Sequence, residues 1–443
     1  MSLHSLMLDS TVENIRHSLE RHMPLSQQRD FYLWGTAPEN PLQDTFLYAM
    51  SVTQLINLSS YLLEDIVAPQ HWKKLARYTG RLNTYFMYEI VSDDLAIGLA
   101  PLAAADETYP LRRQILYGFN HVMVERLSGD ANDTADLLEP LKPLTRSVSG
   151  FTQSMTPEKH NLILRSYLQQ RPGASPSNIE YGLWPILVAN IDLCSELAES
   201  VYKLNTGWMV RQGFIDRYQS VTELLESQTI LPLAELTNIG TRSILVAPTL
   251  AYYIGVLTEI VKPQEELASI ISDGTLSDAL STAALLVRLL NDIGLPLTLD
   301  AYEREQMMSA LWHYHTMNPQ VSSKGIAHLL VSAAENPAFQ SQFADAALLT
   351  RFHKDAAAGE FNICLHNLAY VESVEEGLHM LEGNLTYFAE LYQQSSLHLK
   401  NKLGDINARL KSPTVSTLIQ RFVQFYAMLY AKPYKTSAGE YVA

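Results

Sequence analysis

Residues 279–293 read ALSTAALLVRLLNDI, and the spacing of the apolar side chains in that stretch decides the fold class. Its apolar side chains recur at three- and four-residue spacing, the period of a helix face, with small residues between them and no strand-like alternation. The same spacing runs through 51–66 (SVTQLINLSSYLLEDI) and 183–204 (LWPILVANIDLCSELAESVYKL). Working outward from these segments, strand alternation is almost absent, so the chain is expected to be all-α. Gly and Pro, 20 of each, gather at breaks such as Pro101, Tyr109-Pro110, Arg171-Pro172-Gly173, Leu295-Pro296 and Ser412-Pro413. Proline lacks an N–H and clashes with the preceding turn, so these positions end or start helices.

The chain has 443 residues, and 32 basic against 47 acidic side chains give a formal net charge of −15. That balance argues against a protein that coats nucleic-acid phosphates. Two cysteines, Cys194 and Cys364, exclude a disulfide scaffold and a multi-cysteine zinc site. No apolar run reaches the roughly 18 residues needed to span a bilayer, so no stable membrane insertion and a cytoplasmic location are expected. No repeat and no low-complexity linker divide the chain. The simplest organisation is a lead-in segment over 1–40, one large antiparallel helix bundle over 41–435 with a probable insertion at 295–349, and a tail at 436–443. A monomer or homodimer is equally compatible with it.

Four segments carry polar groups that plain core helices do not need. In Arg288-Leu289-Leu290-Asn291-Asp292-Ile293-Gly294 an amide and a carboxylate close a very apolar helix. A glycine-capped helix end explains this as it stands; a pair of oxygen donors for a hard cation explains it too. In LTNIGTRSILVAPTLAYYIG (236–255) Arg242 stands alone among apolar and small residues. Buried, it needs an anion, either an internal carboxylate or a ligand phosphate. In FMYEIVSDDLAIG (86–98) Asp93 and Asp94 come after an apolar run, with Glu89 one turn before Asp93. In ALLTRFHKDAAAGEFN (347–362) Arg351, Lys354 and Asp355 share one helical surface, as a solvated face would.

Taken in order, these segments resemble a class I terpene synthase. The stretch around Arg242 is similar to that family's kinked helix with a diphosphate-sensing arginine, and LLVRLLNDIG to the start of its second metal motif, Asn-Asp-x-x-Ser/Thr-x-x-x-Glu. The interval from Arg242 to Asn291, 291 − 242 = 49 residues, is close to the family's usual separation. HKDAAAGEFNICLHNLAYVESVEEGLHML resembles the family's segment immediately downstream of that motif, and RFVQFYAMLYAKPY (421–434) the closing helix. The resemblance covers roughly 80–435. It departs where Leu295 and Leu299 stand in place of a hydroxyl and a carboxylate. The motif is therefore expected to be interrupted after Gly294 by about 55 residues and to resume with Thr350 or Arg351 and Asp355. Asp300 and Glu305 offer a competing repair. In the first, aspartate-rich motif, Ile97 replaces a third acid after Asp93 and Asp94; Asn120 and Glu125, with His121 between them, are the alternates.

The resemblance implies a cyclase acting on an allylic prenyl diphosphate, C15 or methylated C16, with Mg²⁺ held by Asp93, Asp94, Asn291, Thr350 and Asp355. Arg242 and Lys354 would meet the departing diphosphate. Phe86, Tyr117, Phe119, Trp184, Tyr252, Tyr253 and Phe361 would line a dry pocket, where aromatic faces stabilise passing positive charge; each of them is also an ordinary core residue. The other readings are a catalytically inactive relative, motivated by the damaged motifs, and an unrelated helical interaction protein.

Overall fold

The computed structural model describes residues 2–103, 107–152, 155, 160–261, 267–342 and 349–431, of which 340–342, 350 and 351 are described by backbone alone. Among the described residues every regular element is helical, and none is a strand. No single helix among them is long and apolar enough to cross a membrane, although Leu233–Arg242 and Val246–Val261 reach that length and composition when taken together. The backbone groups into two compact units, one made of 1–95, 110–219 and 248–269, the other of 96–109, 220–247 and 270–443.

The first unit is built on the helix Trp72–Asp93. Its buried positions, including Leu75, Leu82, Tyr85, Tyr88 and Val91, lie on more than one face, so neighbours must cover it nearly all round. Leu3–His22 runs along it and buries Met7, Ile15 and Leu19. Gly80 permits this approach, because a Cβ there would fall 2.7 Å from the Ser10 carbonyl oxygen. Val52–Leu63 and Leu183–Ser200 complete the surroundings. The first 40 residues thus contribute two helices, Leu3–His22 and Gln27–Gly35, to this unit.

The second unit is built on Thr275–Ile293, the stretch quoted first, in which even Arg288 and Asp292 are buried. Val374–Leu410, Thr414–Leu429 and Leu233–Arg242 pack against it. Each buried Leu contributes about 1.5–3 kcal/mol relative to exposure, so its leucine-rich face dominates the energetics. The helix stops where the sequence says: Gly294 takes φ +89°, Pro296 comes next but one, and the chain turns into Leu295–Leu299. The region 295–349 carries helices of its own, chiefly Ala301–Met317 and Ile326–Glu335. The tail at 436–443 lies outside the described residues.

Candidate functional site

In the second unit, polar side chains converge on the C-terminal turn of Thr275–Ile293. Arg288 and Asp292 are one turn apart and almost completely buried, and the guanidinium meets the carboxylate at 2.8–2.9 Å through Nη2 and Nε. The same Asp292 oxygen, Oδ2, accepts the Ile363 backbone N–H at 2.8 Å, and Oδ1 accepts from the Asn291 amide at 3.0 Å. Arg288 also donates to the Phe361 carbonyl at 2.7 Å, and its guanidinium lies 4.8 Å from the centre of the Phe361 ring. Asn291 Oδ1 accepts a 2.6 Å hydrogen bond from the Tyr430 hydroxyl. The Leu295 backbone N–H donates to the Tyr430 carbonyl, which fixes that residue beside the turn.

Asp355 reaches this cluster through local structure that its sequence encodes. Leu349–Ala358 ends at Gly359 with φ +65°, and the Glu360 N–H returns to the Asp355 carbonyl, a glycine-dependent helix stop. Asn362 then caps the next turn by accepting from the Cys364 and Leu365 N–H groups. Its amide nitrogen bridges the Asp292 carbonyl at 2.8 Å and Asp355 Oδ2 at 2.6 Å. Burial pushes the Asp355 carboxyl up to about 7; Glu360 and Asp292 add to this, while Lys354 opposes it. Lys354 is paired with Glu360 at 3.1 Å.

Residues 98–102 close over this turn, with the Gly98 and Ala100 N–H groups both donating to the Gly359 carbonyl. Between them lies a hollow of about 10 Å³ lined by Ala100, Asp355, Glu360, Asn362 and His366, among others. It has room for one water-sized occupant. His366 is buried with neither ring nitrogen bonded among the described residues, and burial lowers its pKa to about 4. Of the aromatic candidates, Phe361 lines this hollow. A prenyl chain needs several hundred Å³, so this small niche of mixed polar and apolar lining is not a hydrocarbon pocket.

The donor chemistry suits Mg²⁺, which takes one or two protein oxygens and completes its shell with water. As the resemblance implies it, Asn291 Oδ1 and the Asp355 carboxylate would be the oxygens to hold it. With Asp355 ionised, three carboxylates (Asp292, Asp355, Glu360) would face two cations (Arg288, Lys354); with Asp355 protonated the charges balance. Among the described residues, however, no three His, Cys, Asp or Glu side chains form a group ready for a metal ion. Asn291 would have to exchange the Tyr430 hydroxyl for the ion. The Thr350 side chain lies outside those described.

The first unit holds a second buried network. Glu89 Oε2 accepts from Tyr218 at 2.7 Å, Ser92 at 2.9 Å and Asn190 at 3.2 Å, and Oε1 lies 3.3 Å from Arg217. Arg217 also donates to Asp93 at 2.6 Å, and Tyr85 and Tyr218 share a 2.8 Å bond. Burial raises the Glu89 pKa, which Arg217 only partly offsets. Burial alone would lower the Arg217 pKa, but Asp93 and Glu89 outweigh it and raise it. Asp93 forms the rim, with its side chain 63% exposed. Asp94 is half-buried at the start of a short 3₁₀ turn.

The remaining candidates fall elsewhere. Arg242 is not a lone buried arginine: it is part-exposed and paired with Glu223 at 2.7 Å, so the desolvation argument for a phosphate partner does not apply to it. Asn120 is buried, while Glu125 pairs with His121 on an exposed helix face. Glu305 is exposed, and Asp300 caps Ala301–Met317 through the Tyr302 N–H. Tyr117 is exposed and Phe86 half-buried. Phe119 packs edge-on against Tyr218, and Trp184 donates to the Leu138 carbonyl. Tyr252 and Tyr253 bond the Tyr78 carbonyl and Ser59. These four are core residues with satisfied contacts. Sequence reasoning passes over Arg217, Asn362, His366 and the Arg288–Asp292 pair; the i,i+4 spacing of the last in an apolar helix is the signal that could have found it.

Compared with models of known families, with curated proteins and with solved structures, the chain matches none.

Proposed function

We propose that the chain is a cyclase of the class I terpene synthase type, taking a C15 or methylated C16 allylic diphosphate to a hydrocarbon and pyrophosphate. The observation that carries this reading is the bridge made by Asn362. It joins Asp355 to the turn bearing Asn291 and Asp292, across the roughly 60 residues that separate them in sequence. The interrupted second motif, as the resemblance implies it, requires that juxtaposition; the alternative acid Glu305 is exposed. The raised Asp355 pKa is compatible with the same reading, since a cation there would return the carboxyl to its ionised form.

Mg²⁺, when bound, supplies positive charge to the departing diphosphate oxygens and lowers the barrier to C–O ionisation. The protein's own part is to hold the donors in place. Arg288 fixes Asp292, which orients Asn291 through the adjacent amide contact. Lys354 lies within electrostatic reach of Asp355 and would exchange Glu360 for a phosphate oxygen. Arg242 would likewise have to leave Glu223.

Incubation of the full chain with C15, methylated C16 and C20 diphosphates plus Mg²⁺ tests the proposal, reading hydrocarbon by gas chromatography and pyrophosphate by a coupled assay. Release of neither from any substrate overturns it. A second reading, a helical binding protein without activity, is favoured by one observation: the Asn291 and Asp292 oxygens already have internal donors in Tyr430 and Arg288. Calorimetry separates the two, because the inactive form takes up no Mg²⁺ in the presence of a diphosphate.

A further inference from the structure

The first unit carries an open hollow of about 600 Å³ between the helices Gln27–Gly35 and Asn161–Gln170. This is the size range of small-molecule sites. Its floor is aromatic. Trp34 and Tyr167 meet at 5.3 Å between ring centres, and the buried Phe31 supports both, at 6.0 and 5.2 Å. The Trp34 N–H is held by the Gln170 side chain at 3.0 Å, so the ring is fixed and its face is not free to turn away. At the rim stand Asp30, Glu39 and Arg171, all exposed, none of them in an ion pair among the described residues.

Tyr167 gives the independent signal. The residue is 2% exposed, it lines the hollow, and its hydroxyl has no hydrogen-bond partner among the described residues. Its oxygen is not sealed in the core: it opens to the hollow, where the donor of an occupant would take the place of water. Burial raises its pKa; Asp30 raises it further and Arg171 lowers it, which puts both charges within electrostatic reach of the hydroxyl. An electron-rich aromatic floor, two carboxylates and an unfilled oxygen acceptor together ask for a positive group with N–H donors. The single Arg171 leaves the rim net negative by one charge.

We infer that this hollow is a binding site for a small organic cation with an ammonium or guanidinium head. The head lies over the Trp34 face, donates to the Tyr167 oxygen and faces Asp30 and Glu39. Arg171 opposes it. The site is independent of the activity proposed above and lies within the first unit.

The test is titration calorimetry on the full chain with agmatine, with n-butylammonium, with acetyl-arginine amide to represent a side chain borne by a polypeptide, and with butyrate. Agmatine or acetyl-arginine amide binds and butyrate does not; which of the two binds more tightly tells a free cation from a presented side chain. The exposed pair Asp30→Asn/Glu39→Gln weakens binding about tenfold, Trp34→Leu weakens it similarly, and Arg171→Gln tightens it about two- to threefold. Tyr167→Phe, which keeps the ring, also weakens it, and circular dichroism checks that each variant is folded. The inference is overturned if neither cationic head binds up to about 10 mM, if butyrate binds as well, if Asp30→Asn/Glu39→Gln leaves affinity unchanged, or if Arg171→Gln weakens it.

Discussion

The Tyr430 hydroxyl donates a 2.6 Å hydrogen bond to Asn291 Oδ1, tying the residue just past the last described helix to the end of the Thr275–Ile293 helix. The bond satisfies the amide oxygen that the proposed metal site needs. Tyr430→Phe should therefore lower stability by only about 1 kcal/mol in urea denaturation, while raising diphosphate-dependent Mg²⁺ affinity in calorimetry. An affinity left unchanged would remove Asn291 from the donor set, whatever the stability result.

Arg288 and Asp292 form a buried pair in which each depends on the other. Asp292→Ala strands the guanidinium and should destabilise the chain by roughly 3–5 kcal/mol. Arg288→Met/Asp292→Leu removes both charges and should cost far less. Thermal unfolding of the single and double variants decides this; equal losses for both would mean that the pair is not acting as a unit.

Stability should fall with pH around Asp355. Its folded pKa, about 7, lies above the usual carboxylate value of about 4. Between those values the folded chain keeps a proton that the unfolded chain has lost, so stability drops as pH rises through this window and stays low above it. Asp355→Asn should remove that drop, giving roughly 2–4 kcal/mol at pH 8 and almost nothing at pH 4. His366 runs the other way: with its pKa lowered to about 4, it contributes stability that is lost as pH falls from about 6.5. Denaturation midpoints across pH 4–8 for Asp355→Asn and His366→Leu separate the two slopes. A flat wild-type profile that neither substitution alters contradicts both assignments.

At the other network, Arg217→Met leaves Glu89 buried without its cation and should destabilise by about 3–5 kcal/mol. Asp93 is largely exposed, so Asp93→Asn should cost less than about 1 kcal/mol. Under the proposed function Asp93→Asn/Asp94→Asn nevertheless loses most activity. Full product formation by this folded variant would remove those aspartates from the chemistry.

Much of this is legible in the residues. The 3.6 period of 279–293 requires a helix, and Gly294 and Gly359 mark the ends of helices because only glycine takes their positive φ without strain. The resemblance expects Asp355 to serve with Asn291; the link that the structure shows, from Asp355 through the Asn362 amide to the Asp292 carbonyl, is not legible in the residues, since nothing in a sequence says which of many asparagines will bridge two segments. Arg242 and Arg288 make the difficulty concrete. Both sit in apolar helices, yet one ends near the surface against Glu223 and the other is buried on Asp292.

By itself, then, the amino-acid order determined the all-helical class, the helix stops and the polar residues available for chemistry, because these depend on local backbone preference and on the spacing of apolar side chains. Only the tertiary structure decided which charges are buried, which oxygens already have donors, and that Trp34, Tyr167 and two acids share one hollow. Burial and pairing depend on neighbours distant in sequence, and a periodicity of three or four residues carries no information about them.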